Sequence, residues 1–226
     1  MGVNNKTTKK VYIQEGITSI GSSIFNRWTR LKGYVSSSKT DTPDVKKISE
    51  ENMNDQGYTT NTLILPKTLN YISTRAFTYN GSFSKLIILC NSKLTLNELL
   101  TSSANYDRIF YGSIFDTIEL PNITELDGYH PNTFNLSRLK NFFINCNFST
   151  NISFSNSSNL TRDSLINIAN HLDSTATGQT LTLHATPKAS CDTIKGDITD
   201  GQFVYNASGA TTLTSFITNT KGWTIA

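Results

Sequence analysis

Residues 11–25 (VYIQEGITSIGSSIF) and 63–77 (LILPKTLNYISTRAF) carry the same apolar spacing without a gap. Val11 matches Leu63, Ile13 matches Leu65, Ile17 matches Leu69, Ile20 matches Ile72 and Phe25 matches Phe77, while the polar residues between them differ. A catalytic loop would repeat its polar residues; this stretch repeats its apolar ones. A third copy, IELPNITELDGYHPNTF at 118–134, places Ile118, Leu120 and Pro121 where Leu63, Leu65 and Pro66 fall. After one deletion Ile123 and Leu126 take the places of Leu69 and Ile72, and after a short insertion Phe134 takes that of Phe77. Self-similarity of this kind points to stacked units, none of which buries its apolar positions alone. Each unit reads as a short strand, a turn often opened by proline, a second apolar pair and a phenylalanine wedge.

The pattern L-x-L-P-x-x-L-x-x-I-x-x-x-A-F, written out in Leu63 to Phe77, resembles the BspA-like leucine-rich-repeat family of bacterial surface antigens. The resemblance covers residues 11–35, 63–90 and 118–146 and departs at Gln14, where proline is usual, and at Thr133, where alanine is usual. Both departures are expected to bend their turns differently. The resemblance implies a β-rich α+β fold, a short leucine-rich-repeat solenoid with a helix-containing C-terminal cap.

The solenoid is expected over 1–159, interrupted by the polar insert 36–62 (SSSKTDTPDVKKISEENMNDQGYTTNT). An insert of that length binds something or is mobile. Residues 91–117 read as a degenerate repeat with Phe110 near the wedge position. The C-terminal cap is expected over 160–226. Leu160, Leu165, Ile168, Ala169 and Leu172 have helical spacing, and Thr161 is placed to cap the helix N-terminus. A strand follows at 180–183, then an irregular stretch at 187–207, a short helix over 213–222 ending at Gly222, and a last strand at 223–225. Helix, TLTL, helix and a KGWTIA ending resemble the cap found beside such repeats in proteins of gut-type bacteria and their phages.

No catalytic or metal-binding constellation emerges. The histidines, His130, His171 and His184, are not at ligand spacing, and no H-E-x-x-H, G-x-S-x-G, Walker loop or G-x-G-x-x-G occurs. His171, at the end of the expected helix, fits a helix-dipole role. Cys90, Cys146 and Cys191 are odd in number and widely spaced, so they read as small buried hydrophobes. Glu50 and Glu51 in the insert, and Asp116, Glu119, Glu125 and Asp127 around the third copy, read as solvated acids rather than a glycosidase pair. No enzyme, cofactor or metal is expected.

A net charge of +3 and a small cluster of Lys6, Lys9 and Lys10 do not make the concentrated basic face that nucleic acid requires. No stretch approaches the ~20 apolar residues of a membrane span. The N-terminus, MGVNNKTTKKVYIQEG, lacks the apolar core of a secretory signal. Its loose likeness to a myristoylation signal fails at Lys6, and the Asn-x-Ser/Thr triplets are what an Asn-rich chain produces by chance.

Strand alternation supplies the candidate site. If Val11/Ile13, Leu63/Leu65, Leu86/Ile88, Ile118/Leu120, Phe142/Ile144 and Leu181/Leu183 point inward, then Tyr12, Ile64, Ile87, Glu119, Phe143 and Thr182 point outward. A contiguous apolar stripe marks a binding surface; the alternative is a loop, such as 36–62, folded over that sheet. With the resemblance and the missing export signal, the expected function is that of a non-enzymatic bacteriophage virion structural protein, a head or tail fibre or a decoration protein. Its expected partners are other virion proteins, itself as a dimer or trimer, and a host-surface receptor. The alternative is a bacterial cell-surface leucine-rich-repeat adhesin or ligand-binding module.

Overall fold

A computed structural model describes residues 13–25, 62–81, 83–98 and 108–226. Val11, Tyr12, the N-terminal lysines and the insert as far as residue 61 lie outside the described residues. The described chain is β-rich, with four sheets and three short helices.

The apolar repeats form strands that alternate between two parallel sheets. One contains β1 (Ser19–Ile20), β3 (Tyr71–Ser73), β5 (Lys93–Asn97) and β7 (Glu125–Asp127), side by side in that order. The other contains β2 (Thr62–Leu65), β4 (Lys85–Ile88), β6 (Thr117–Leu120) and β8 (Asn141–Ile144). Every pairing within them is parallel. β2 is buried along its whole length, as the near-continuous apolar run TLIL requires of a parallel strand covered on both faces.

The matched residues of the repeats meet in space. Leu63 lies opposite Leu86, Leu86 opposite Ile118, and Ile118 opposite Phe142, all buried in one core. The phenylalanine wedges form a column: Phe25 stacks on Phe77 at 5.0 Å, Phe77 on Phe110 at 5.6 Å and Phe110 on Phe134 at 5.7 Å between ring centroids. Phe110 therefore takes the wedge position of the degenerate repeat between the second and third copies.

The C-terminal part begins by closing a sheet edge. α1 (Arg162–Asn170) starts at Thr161, whose side chain accepts the Ser164 N–H, and packs against β8. β9 (Ile152–Phe154), β10 (Thr180–Leu183) and β14 (Thr224–Ile225) form a third parallel sheet with β10 central. That sheet joins residues on both sides of position 160.

The stretch 187–207, expected to be irregular, is instead largely regular. α2 (Ala185–Cys191) is followed by a hairpin of β11 (Lys195–Thr199) and β12 (Gln202–Tyr205), with β13 (Thr211–Thr212) on the other side of β11. The hairpin signal is the Asp200–Gly201 pair, at φ 50° and 73°, which makes the tight turn that a two-residue β-hairpin needs. α3 (Leu213–Ser215) continues as a π-helical turn over Phe216–Thr220, closed by the Lys221 N–H on the Phe216 carbonyl at 3.0 Å.

The KGWT ending latches this region together. Lys221 donates from Nζ to the Asn170 carbonyl at 2.8 Å, at the C-terminus of α1. Buried Trp223 donates from Nε1 to the Asp173 carbonyl at 2.9 Å. Thr224 and Ile225 then pair with β10.

Candidate binding surfaces

Strand register brings four of the six expected surface residues into one row. Ile64 lies opposite Ile87, Ile87 opposite Glu119, and Glu119 opposite Phe143. Tyr12 lies outside the described residues. Thr182 belongs elsewhere: it sits on β10, opposite Ser153, in the third sheet.

The row is not the open apolar stripe that alternation suggested. Ile64 and Ile87 are each only 3% exposed, Glu119 is half-buried and Phe143 is half-buried. Ile87 has Ile64 and Glu119 as its cross-strand neighbours, and Lys85, two residues before it, meets Glu119 at 2.7 Å. Period-two alternation assigns a side chain to a face, but it does not say what covers that face.

The acids around the third copy are tied to neighbouring side chains. Lys93 on β5 holds Glu125 at 2.7 Å and Asp127 at 3.0 Å on β7. Asp127 is held below its ordinary pKa, first by the hydrogen bond from Lys93 and then by the Gly128 N–H. Asp116 accepts from the Thr117 hydroxyl at 2.9 Å. Exposed pairs of this kind add little stability; they do set a polar surface on the first sheet.

The histidines serve the backbone. His130 Nδ1 accepts the Asn132 N–H at 3.0 Å, and His184 Nδ1 accepts the Thr186 N–H at the start of α2. His171 Nδ1 lies 2.9 Å from the Asn167 carbonyl at the end of α1. Burial lowers the His171 pKa, against the dipole role expected of it, and Lys221 is the cation that meets this helix end. Cys146 and Cys191 are pushed up to about 12 by burial, far from a reactive thiolate. Among the described residues no group of histidine, cysteine or acid side chains could hold a metal ion, and no helix is long and apolar enough to cross a membrane.

Two constellations escaped the sequence reading. The first centres on Glu98, a buried carboxylate just beyond β5. Its Oε1 accepts the Ile109 N–H at 2.6 Å; its Oε2 accepts the His130 N–H at 2.9 Å and the Thr133 hydroxyl. Thr133, the departure from the alanine of the repeat pattern, thus supplies a donor to a buried acid. Burial raises the Glu98 pKa, opposed by these hydrogen bonds and by the nearby charge of Arg108. Three donors from two separate segments, Ile109 and the His130–Thr133 turn, converge on one carboxylate, which suits it to holding turns in register.

The second is a groove of about 250 Å³ lined by Tyr79, Tyr111, Gly112, Asn135, Arg138 and Asn156, among others. Tyr79 and Tyr111 meet edge to face at 5.4 Å, and the Tyr79 N–H donates to the Tyr111 carbonyl at 2.7 Å. Aligning Phe77 with Phe110 puts Tyr79 level with Gly112, and both have left-handed backbones, at φ 54° and 67°. A Cβ on Gly112 would lie 2.5 Å from the Tyr79 ring, so the glycine makes room for that ring. This alignment was the signal available in the sequence.

No protein-family model, curated protein or solved structure matches this chain in the comparisons made.

Proposed function

We propose that the chain is a short BspA-like leucine-rich-repeat solenoid, closed by its C-terminal region, that works by binding as a structural protein of a bacteriophage particle. The observation that supports this architecture is the register of the repeats. Successive strands alternate between two parallel sheets, and the wedges stack as one column from Phe25 to Phe134. Stacked units of this kind present long surfaces, which suits recognition of other proteins and of cell surfaces.

On this reading the protein is a head or tail fibre or a decoration protein. Its partners are other virion proteins, further copies of itself in a dimer or trimer, and a host-surface receptor. The acids and histidines described above are engaged with lysines, hydroxyls or backbone groups, which favours binding over catalysis.

Mass spectrometry of purified particles, with immunogold labelling of the same preparation, tests the reading. The protein is expected in particles at a fixed copy number. Its absence from particles together with labelling of the bacterial surface would replace this reading with that of a cell-surface adhesin.

A further inference from the structure

We infer that the groove between Tyr79, Tyr111, Arg138 and Asn156 is a saccharide-binding site that seats a single pyranose ring. The inference rests on the reading of this chain as a binding protein and deepens it by naming a ligand class and a place.

The starting observation is the backbone of Tyr79. A bulky residue at φ 54° occupies a region that glycine enters freely and that L side chains rarely adopt. The level position in the next unit is Gly112, so the fold accepts glycine there. Tyr79 thus carries backbone strain that glycine would avoid, and such strain concentrates at ligand sites. The strain does not place the ring in the core, because Tyr79 is 41% exposed and Tyr111 is 36% exposed. It holds a pair of aromatic rings at the surface, locked by their edge-to-face contact and seated over Gly112.

The groove's polar groups suit a polyhydroxylated ring. Arg138 and the side-chain amide of Asn156 make no hydrogen bond or ion pair with another described residue, while Asn135 is already engaged, accepting from the Asn156 N–H and donating to Ser155. A guanidinium offers a fork of donors and a primary amide offers both donor and acceptor, which vicinal hydroxyls can satisfy together. Tyrosine adds a flat apolar body with a polar tip, matched to the CH faces and hydroxyl rim of a sugar. Other ligand classes fit less well. One guanidinium is too little positive charge for a nucleic-acid backbone, and the open groove offers no deep apolar pocket for a peptide anchor.

The test is a glycan array of bacterial cell-wall, capsular and animal oligosaccharides, probed with the full purified chain, followed by titration of the best binder. The wild type should bind a subset of the array. Tyr79→Gly, which keeps the left-handed backbone and removes the ring, should weaken binding about tenfold or more with no loss in melting temperature. Arg138→Gln should weaken the same binding and leave the melting temperature unchanged. No saccharide bound at millimolar concentration, or Tyr79→Gly binding as tightly as the wild type, would overturn the site. Either failure would leave the particle assignment standing, because that is read from the composition of particles.

Discussion

Asn167 on α1 takes both backbone groups of Ile144 on β8: its Oδ1 accepts the Ile144 N–H at 2.9 Å and its Nδ2 donates to the Ile144 carbonyl at 3.3 Å. Nearly one helical turn earlier, Ser164 accepts the Phe142 N–H at 2.9 Å and donates to the Lys140 carbonyl at 3.0 Å. Two side chains at helical i, i+3 spacing thereby satisfy the open edge of a parallel sheet. An unpaired edge invites pairing with another chain, and a helix laid along it removes that liability.

Replacing Asn167 with Leu should leave the Ile144 N–H and carbonyl without partners. Each orphaned buried group costs about 1–3 kcal/mol. Urea unfolding should show the loss, and sedimentation velocity should show new self-association through the edge. Unchanged stability and a wild-type sedimentation profile would refute the capping role.

Phe77 touches Phe25, Phe110 and Phe115 at centroid distances of 5.0, 5.6 and 6.1 Å and is fully buried. Phe77→Ala should cost ~3–5 kcal/mol, the range for a buried aromatic. A midpoint shift near zero in denaturant would mean that the column does not support the core.

Trp223→Phe removes the donor to the Asp173 carbonyl and some buried volume together. The expected loss is about 1–3 kcal/mol for the orphaned carbonyl, with a smaller cavity contribution added. Thermal unfolding against Tyr205→Phe, an exposed control, measures it. Equal melting temperatures for the two variants would contradict the latch.

Glu98 gives a pH signature. Burial raises its pKa above the usual 4.5, so the folded chain keeps this proton to higher pH than the unfolded chain does. The contribution favours the fold below about the unfolded value and is lost as pH rises through the raised folded value. Glu98→Gln cannot ionise and should remove that decline, while weakening the fold because an amide cannot accept on both sides. Unfolding free energies of wild type and variant from pH 4 to 8 should therefore differ in slope. Parallel curves would show that Glu98 titrates normally.

Local periodicity made much of this protein legible in its sequence. The apolar pairs Leu63/Leu65 and Ile118/Leu120 announced strands, Thr161 announced the start of α1, and the wedge phenylalanines, including Phe110, announced buried positions. Each of these depends on neighbours within a few residues or on the repeat itself.

The tertiary structure decided what depends on residues far apart. Alternation put Ile64 and Ile87 on one face, but only the packing buried them. Thr182 shares the strand pattern of the repeats and still joined a different sheet, because β10 found β9 and β14 as its neighbours. Glu98 draws donors from Ile109, His130 and Thr133, and the Tyr79 ring depends on the missing side chain of Gly112. Periodicity sets the direction of a side chain relative to its own strand. What that side chain meets is set by the stacking of distant segments, and the Glu98 cluster and the Tyr79–Tyr111 groove are made of those meetings.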